Sequence, residues 1–93
     1  MDDDDLLDKR DRLADRLPDS MEEKNKQGRM KYGDSWVESH PDHPLRRMEE
    51  EFMEFRQAVE HYNDEEMAVE ELADIVNYGL MFLVLHGEYW GDE

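Results

Sequence analysis

Two stretches of the chain carry apolar residues at the spacing of an α-helix. In residues 45–62 the apolar positions step by three and four, which makes one stripe along a helix: Leu45, Met48, Phe52, Phe55, Val59 and Tyr62. Residues 72–85 are apolar at almost every position, as in a helix that is buried on all faces. A polar turn between the two stretches predicts that they fold back as an antiparallel helical hairpin.

Two further helices are predicted upstream. Residues 1–17 begin with a run of aspartates, followed by leucines among charges, which predicts a helix. It should end near Pro18, because proline lacks the N–H that an interior helical position needs. A second helix is predicted from there to Tyr32. We therefore divide the chain into an acidic N-terminal helix, 1–18, and a helical domain, 19–93.

The helix boundaries within the second part carry recognisable signals. Gly33 and two prolines punctuate a loop that extends to Pro44. Pro44 suits the first turn of the next helix, for which Asp42 or His43 is the predicted cap. The last helix opens with Asn63-Asp-Glu-Glu, which is similar to a capping box. No stretch shows the alternation of a strand, so the predicted fold class is all-α, a helical bundle.

One chain of 93 residues is small for this arrangement. A domain of this size buries only about 60% of its unfolded surface, and it cannot surround the apolar segment 72–85. The sequence therefore predicts that oligomerisation completes the bundle, as a homodimer or homotetramer.

The charge is strongly one-sided, with 27 acidic residues against 11 Lys and Arg and a net charge of −16. Such a chain repels nucleic acid and anionic membranes on average, so neither is expected as a partner. We favour a halophilic source, in which salt screens the surface; the alternative is an ordinary acidic protein with a charged tail. No cysteine is available for disulfides or thiolate metal sites. Without a long apolar run or a signal-peptide pattern, a cytoplasmic location is expected.

Acidic residues on both helices of the predicted hairpin are spaced to share one face. Glu51 and Glu54 are three positions apart, and so are Glu71 and Asp74. The hairpin would bring these four carboxylates together near the packing seam, where like charges repel and lose hydration. A bound cation would offset both the repulsion between the carboxylates and their lost hydration. Carboxylates without Cys or clustered His select hard ions such as Mg²⁺ or Mn²⁺.

This pattern carries a family resemblance. Glu50-Glu51-x-x-Glu54 followed by Glu71-x-x-Asp74 resembles the metal-binding motif of the MazG-like, all-α nucleoside triphosphate pyrophosphohydrolases. The resemblance extends through Lys31-Tyr-Gly-Asp-Ser-Trp36 and Ala73-Asp-Ile-Val-Asn-Tyr78, and it covers about residues 20–86.

The resemblance implies a catalytic centre. Its metal ligands would be Glu51, Glu54, Glu71 and Asp74, while Glu50 would orient the attacking water or hold a second ion. The implied reaction is hydrolysis of a nucleoside triphosphate between its α and β phosphates, which gives a monophosphate and pyrophosphate.

The substrate contacts are less closely defined. Relatives often carry phosphate-binding basic residues after the second acidic pair, and this chain has none there. That role would pass to Lys31, Arg29 or Arg47, or to a neighbouring subunit. Arg47 has the alternative of pairing only with Glu51 or Glu54.

Three further motif residues belong to the predicted substrate site. Trp36 either plugs the end of the bundle or stacks on a base. Asn77 either hydrogen-bonds base or sugar or completes a local polar network. Tyr78 ends the motif.

Two other classes of function compete with the enzyme. One is a non-catalytic acidic helical interaction module, whose acidic pairs simply face solvent. The other is a DNA mimic, suggested by net charge alone. A mimic needs its carboxylates outside, whereas these pairs border the apolar seam, and this placement favours the enzyme.

Overall fold

The structure is a computed structural model that describes residues 3–33 and 35–87. Asp34, which belongs to the motif that begins at Lys31, and the last six residues lie outside this range. The described chain forms three α-helices, α1 (Asp3–Tyr32), α2 (Asp42–Glu60) and α3 (Glu65–His86), and one 3₁₀ helix (Ser35–Glu38). These ranges contain no strand. The prediction of an all-α helical bundle is confirmed at this level.

Helix α3 lies between the other two. Helix α2 turns back along it, so that Met48 contacts Gly79 while Glu51 contacts Glu71. Helix α1 packs on another side of α3 and runs in the same direction. Its Arg16 pairs with Glu65 at 3.1 Å near the start of α3. The site residues of α3 are therefore flanked by a helix on each side.

The turn into α3 forms as the sequence predicts. Asp64 caps the helix, and its carboxylate accepts a hydrogen bond from the backbone N–H of Met67 at 3.1 Å. The predicted caps of α2 are wrong, because the helix already includes Asp42 and Pro41 holds the cap position without a side-chain bond. The N–H of Asp42 donates instead to Nδ1 of His40 at 3.1 Å, which satisfies one of the free donors at this end.

The predicted helix end at Pro18 is also wrong. Helix α1 continues through this residue to Tyr32. Pro18 deprives the Ala14 carbonyl of its helical donor, but both residues are exposed, so water can replace the lost bond. Packing of α1 along α3 outweighs the tendency of Pro18 to end a helix. One helix thus crosses the boundary between 1–18 and 19–93, and the division into these two parts stays a prediction.

The buried face of α2 differs from the predicted stripe by one position. The buried residues are Pro44, Glu51 and Ala58, seven apart, whereas Phe52 and Val59 are 51% and 47% exposed. Pro44 and Ala58 on either side of Glu51 are small, whereas the large side chains of Phe52 and Val59 lie at the half-exposed flank. A glutamate therefore occupies the centre of the helix–helix contact.

Helix α3 is buried on only part of its surface. Val69 and Ala73 are buried, while Leu80, Leu83 and Val84 are 49%, 47% and 62% exposed. One chain does not surround this helix, as predicted. None of the helices in the described ranges has the length and apolar character to cross a membrane.

Replacement of Pro18 by alanine tests the continuity of α1. Pro18→Ala restores the N–H that bonds to Ala14, so the free energy of unfolding should rise by about 1–3 kcal/mol, measured by denaturant titration. Asp15→Ala, an exposed substitution one turn earlier, is the control for helix propensity and charge. An equal effect of the two substitutions would mean that the helix is broken at Pro18 in solution.

Candidate metal centre

Three carboxylates meet where α2 packs on α3. Glu51 from α2 and Glu71 and Asp74 from α3 each place one oxygen within 4.8 Å of the other two. The seven-residue spacing that buries one row of α2 also buries Glu51, which is only 5% exposed. Glu71 and Asp74 lie one turn apart on the facing helix. The helix packing itself therefore assembles the cluster.

The interior of the cluster contains an unsatisfied acceptor. The Oε2 atom of Glu71 is buried and has no hydrogen-bond partner among the described residues. A buried carboxylate oxygen without a donor is costly, since it has lost its hydration and gained nothing in return. A bound cation would remove this cost.

Burial makes these groups difficult to ionise. It raises the pKa of Glu51 from 4.5 to about 8, with contributions from hydrogen bonds to Glu54 and Glu71 and from repulsion by its acidic neighbours. Burial also raises the pKa of Glu71. The pKa of Asp74 is raised by burial as well, although attraction to Lys24 partly offsets the effect. A divalent cation would therefore compete with protons for these carboxylates.

Three of the four predicted metal ligands come together here. The fourth, Glu54, is exposed and outside the group of three, but its carboxyl group contacts those of Glu51 and Glu71. Glu50, the predicted water-orienting residue, also lies outside the group and pairs with Arg47. The roles of these five acids as ligands and catalytic residues stay predictions.

Arg47 contacts both acidic neighbours on its own helix. Besides its bond to Glu50, its Nη2 lies 3.3 Å from an oxygen of Glu51. The guanidinium carbon is 5.5 Å from the centre of the Tyr78 ring, within the range of a cation–π contact. The alternative in which Arg47 pairs within α2 is therefore realised, and its contact with phosphate stays a prediction.

A pocket of about 110 Å³ adjoins the cluster. Its walls come from the C-terminal half of α1, the 3₁₀ helix and α3. Asp74 lines it, as do four of the predicted substrate-binding residues: Arg29, Trp36, Asn77 and Tyr78. Lys31 does not line it and lies exposed in the last turn of α1. The pocket therefore connects most of the predicted substrate residues to one carboxylate of the cluster, that of Asp74.

Asn77 takes part in a structural contact. Its Nδ2 donates to the backbone carbonyl of Met21 at 2.9 Å, which ties α1 to α3. This is the local polar role predicted as one of its two alternatives. Its place in the pocket wall leaves contact with a base or sugar as a prediction.

Lys24 belongs to a basic group in residues 21–32 that the sequence offers either as a solvated helix face or as a triphosphate-binding surface. Its contact with the acidic cluster was not predicted. Its Nζ lies 3.4 Å from Oδ2 of Asp74, and it also lines the pocket. Burial lowers the pKa of Lys24, but attraction to Asp74 outweighs it and the net direction is upward. Position was the available signal for that contact, because Lys24 continues the half-buried row of Leu17 and Met21 on α1.

The donor set suits a small hard cation. An octahedral Mg²⁺ bonds oxygens at about 2.0–2.1 Å, so neighbouring ligands lie about 3.0 Å apart. The three carboxylate oxygens, which lie within 4.8 Å of one another, would have to close around the ion to bind it together. The all-oxygen donor set matches Mg²⁺ or Mn²⁺.

The buried carboxyl of Glu51 predicts an unusual pH dependence. Since its folded pKa is about 8 against 4.5, the folded state binds more protons than the unfolded chain in that window. The stability that this group contributes is present below pH 4.5 and is lost as the pH rises through 8. The melting temperature of Glu51→Gln in chelator should therefore exceed that of the wild type increasingly from about pH 5 to pH 8.

Glu49→Gln, an exposed substitution on the same helix, provides the matched control. It removes the same charge, and its melting curve should stay parallel to that of the wild type across the pH range. If the Glu51 and Glu49 variants shift alike, overall charge rather than burial governs the pH dependence.

Comparison with known proteins adds no relative to this picture. No protein-family model, no curated protein and no solved structure matches the chain. The resemblance to the MazG-like pyrophosphohydrolases thus depends on the residue pattern described above, and membership of that family stays a prediction.

Proposed function

We propose that the protein is a nucleoside triphosphate pyrophosphohydrolase that requires Mg²⁺ or Mn²⁺. The substrate is a ribo- or deoxyribonucleoside triphosphate, and the products are the monophosphate and pyrophosphate. The observation that carries the proposal is the cluster of Glu51, Glu71 and Asp74 within 4.8 Å, which opens into a pocket with basic and aromatic walls. A hard cation beside a pocket for an anion is the combination that phosphoanhydride hydrolysis needs.

The ion supplies the charge that this reaction requires. When bound, Mg²⁺ polarises the phosphoryl oxygens, neutralises developing negative charge and makes water more acidic. The protein provides Glu51, Glu71 and Asp74 to hold it, and Glu54 contacts two of these carboxylates. Glu50, exposed beside them on α2, is assigned to the attacking water.

The remaining residues bind and orient the nucleotide. Trp36 and Tyr78 offer aromatic faces for the base, and the Asn77 side chain contacts base or sugar. Arg29 in the pocket wall binds phosphate together with Arg47. Lys31, at the end of α1, attracts the triphosphate to the mouth of the site.

Association of copies belongs to the same proposal. Exposed apolar side chains lie along α2 and α3, including Phe52, Leu80, Leu83 and Val84. Burying them against a second copy of the helical hairpin would complete a helical bundle. The assembly would be a homodimer, or a homotetramer formed from two dimers.

A non-catalytic interaction module is the second candidate. The same exposed apolar side chains support it, because they are equally suited to a different helical partner. The buried acidic cluster argues against it, since a module that only binds through α2 and α3 gains nothing from an unsatisfied carboxylate at their contact.

Turnover tests the proposed function directly. With Mg²⁺, the wild type should convert at least one nucleoside triphosphate to monophosphate and pyrophosphate without releasing diphosphate. Glu71→Gln should lower the rate by at least about 100-fold, because it removes an anionic ligand while nearly conserving size. The products are measured by ion-exchange chromatography across a panel of triphosphates.

Stability measurements show whether such a loss is local. Without metal, the melting temperature of Glu71→Gln should equal or exceed that of the wild type, since repulsion in the cluster falls. Glu49→Gln should retain activity. A wild type that leaves every triphosphate intact would favour the interaction module.

The exposed apolar surface predicts the state of assembly. Light scattering in high salt should give at least twice the chain mass of 11.2 kDa. Phe52→Asp should lower the mass toward that of one chain while circular dichroism shows the helices intact. Met30→Asp adds the same charge at a side chain that is 81% exposed on α1, and it should leave the assembly unchanged. A stable wild-type monomer would contradict the prediction.

A further inference from the structure

Lys24 is a cation held in an unusual position. It faces α3 from a row of α1 that is otherwise apolar or small, between Met21 and Gly28. Its side chain is 24% exposed, and that of its partner Asp74 is 21% exposed. Placing an ammonium group in such a row is unfavourable unless it binds an anion there. The local structure thus directs Lys24 to the acidic cluster.

Two basic side chains balance the cluster from different helices. Arg47 contacts Glu51 at 3.3 Å from within α2, and it is also held by Glu50 and by the Tyr78 ring. Lys24 contacts Asp74 at 3.4 Å from α1. A single ion pair on a flexible stem holds Lys24, so of the two cations it is the easier to displace.

A divalent cation and the Lys24 ammonium compete for the same carboxylate. A cation bound among Glu51, Glu71 and Asp74 would be coordinated by the Asp74 carboxylate and would repel the ammonium group of Lys24. Lys24 also lines the pocket that opens beside the cluster. A displaced ammonium group could therefore remain at the wall of this pocket.

We propose that Lys24 is the counter-ion of the metal-free cluster, and that a divalent cation releases it from Asp74 to bind a phosphate group of the substrate. This inference rests on the proposed function, which supplies both the divalent cation and the phosphate group. Lys24 then links the two binding events. The cation frees a phosphate-binding group, so the protein binds triphosphate better after the metal than before it.

The two ligands should respond to Lys24→Met in opposite directions. The affinity for Mg²⁺ alone, measured by isothermal titration calorimetry, should rise by about tenfold, because the competing charge is gone. The affinity for a non-hydrolysable triphosphate analogue at saturating Mg²⁺ should fall by about tenfold, because a phosphate contact is gone. A residue with only a structural role would weaken both.

Lys26→Met is the matched control. Lys26 is exposed and two positions further along α1, which places it on the opposite side of the helix from Lys24. The substitution removes the same charge, and both affinities should change by less than about twofold. Equal effects of the Lys24 and Lys26 variants would overturn the proposal, as would a loss of both affinities in a folded Lys24→Met protein.

A measurement on the wild type covers the case in which Lys24→Met does not fold. Saturating Mg²⁺ should increase the acylation of Lys24 by a succinimidyl ester relative to Lys26, as read by mass spectrometry, because the amine leaves its carboxylate partner. An unchanged ratio in protein that binds Mg²⁺ overturns the proposal. Failure of the wild type to bind Mg²⁺ at all would instead overturn the proposed metal centre, so the two failures are distinguishable.

Discussion

The repulsion among carboxylates at the contact of α2 and α3 is the constraint on which the rest of the structure depends. Apolar packing of Ala58, Val69 and Ala73 holds the two helices together, and the same packing places Glu51 against Glu71 and Asp74. Folding of the hairpin therefore creates an unfavourable site. Lys24 and Arg47 each offset part of this repulsion through their ion pairs with Asp74 and Glu51. A divalent ion would relieve it more completely and would thereby stabilise the fold.

A protein of net charge −16 must concentrate its positive charge to bind a triphosphate. Four of its basic residues lie within one short part of α1: Lys24, Lys26, Arg29 and Lys31. The helix directs two of them, Lys24 and Arg29, to the pocket wall. The net negative charge repels polyanions on average, so these cations at the pocket wall would favour binding of an anion there.

Much of this organisation could be predicted from the sequence, because strong local signals set it. The paired acids at helical spacing, the polar turn and the start signal Asn63-Asp-Glu-Glu were enough to predict the hairpin and three members of its cluster. The predicted end at Pro18 failed because tertiary packing outweighs a local preference. The buried face of α2 was misplaced because large side chains marked the stripe, whereas small ones around Glu51 form the contact.

The role of Lys24 depends on three-dimensional neighbours that no local pattern contains. Its partner Asp74 is fifty positions away on a different helix, and only the direction and register of α1 along α3 bring them together. Arg47 was easier to interpret, since its partners lie within one turn of its own helix.

The acidic cluster and the pocket beside it are formed by different sets of helices. The acidic cluster is built on α2 and α3, which are joined by a short turn and pack most extensively, while the pocket needs α1 as its outer wall. Helix α1 is attached to α3 near the cluster through the Asn77 bond to Met21 and the pair of Lys24 with Asp74. Outward motion of its C-terminal half would widen the entrance for a nucleotide without separating the carboxylates. The carboxylate cluster is thus built on two helices and the pocket entrance on a third, and the pair of Lys24 with Asp74 joins them.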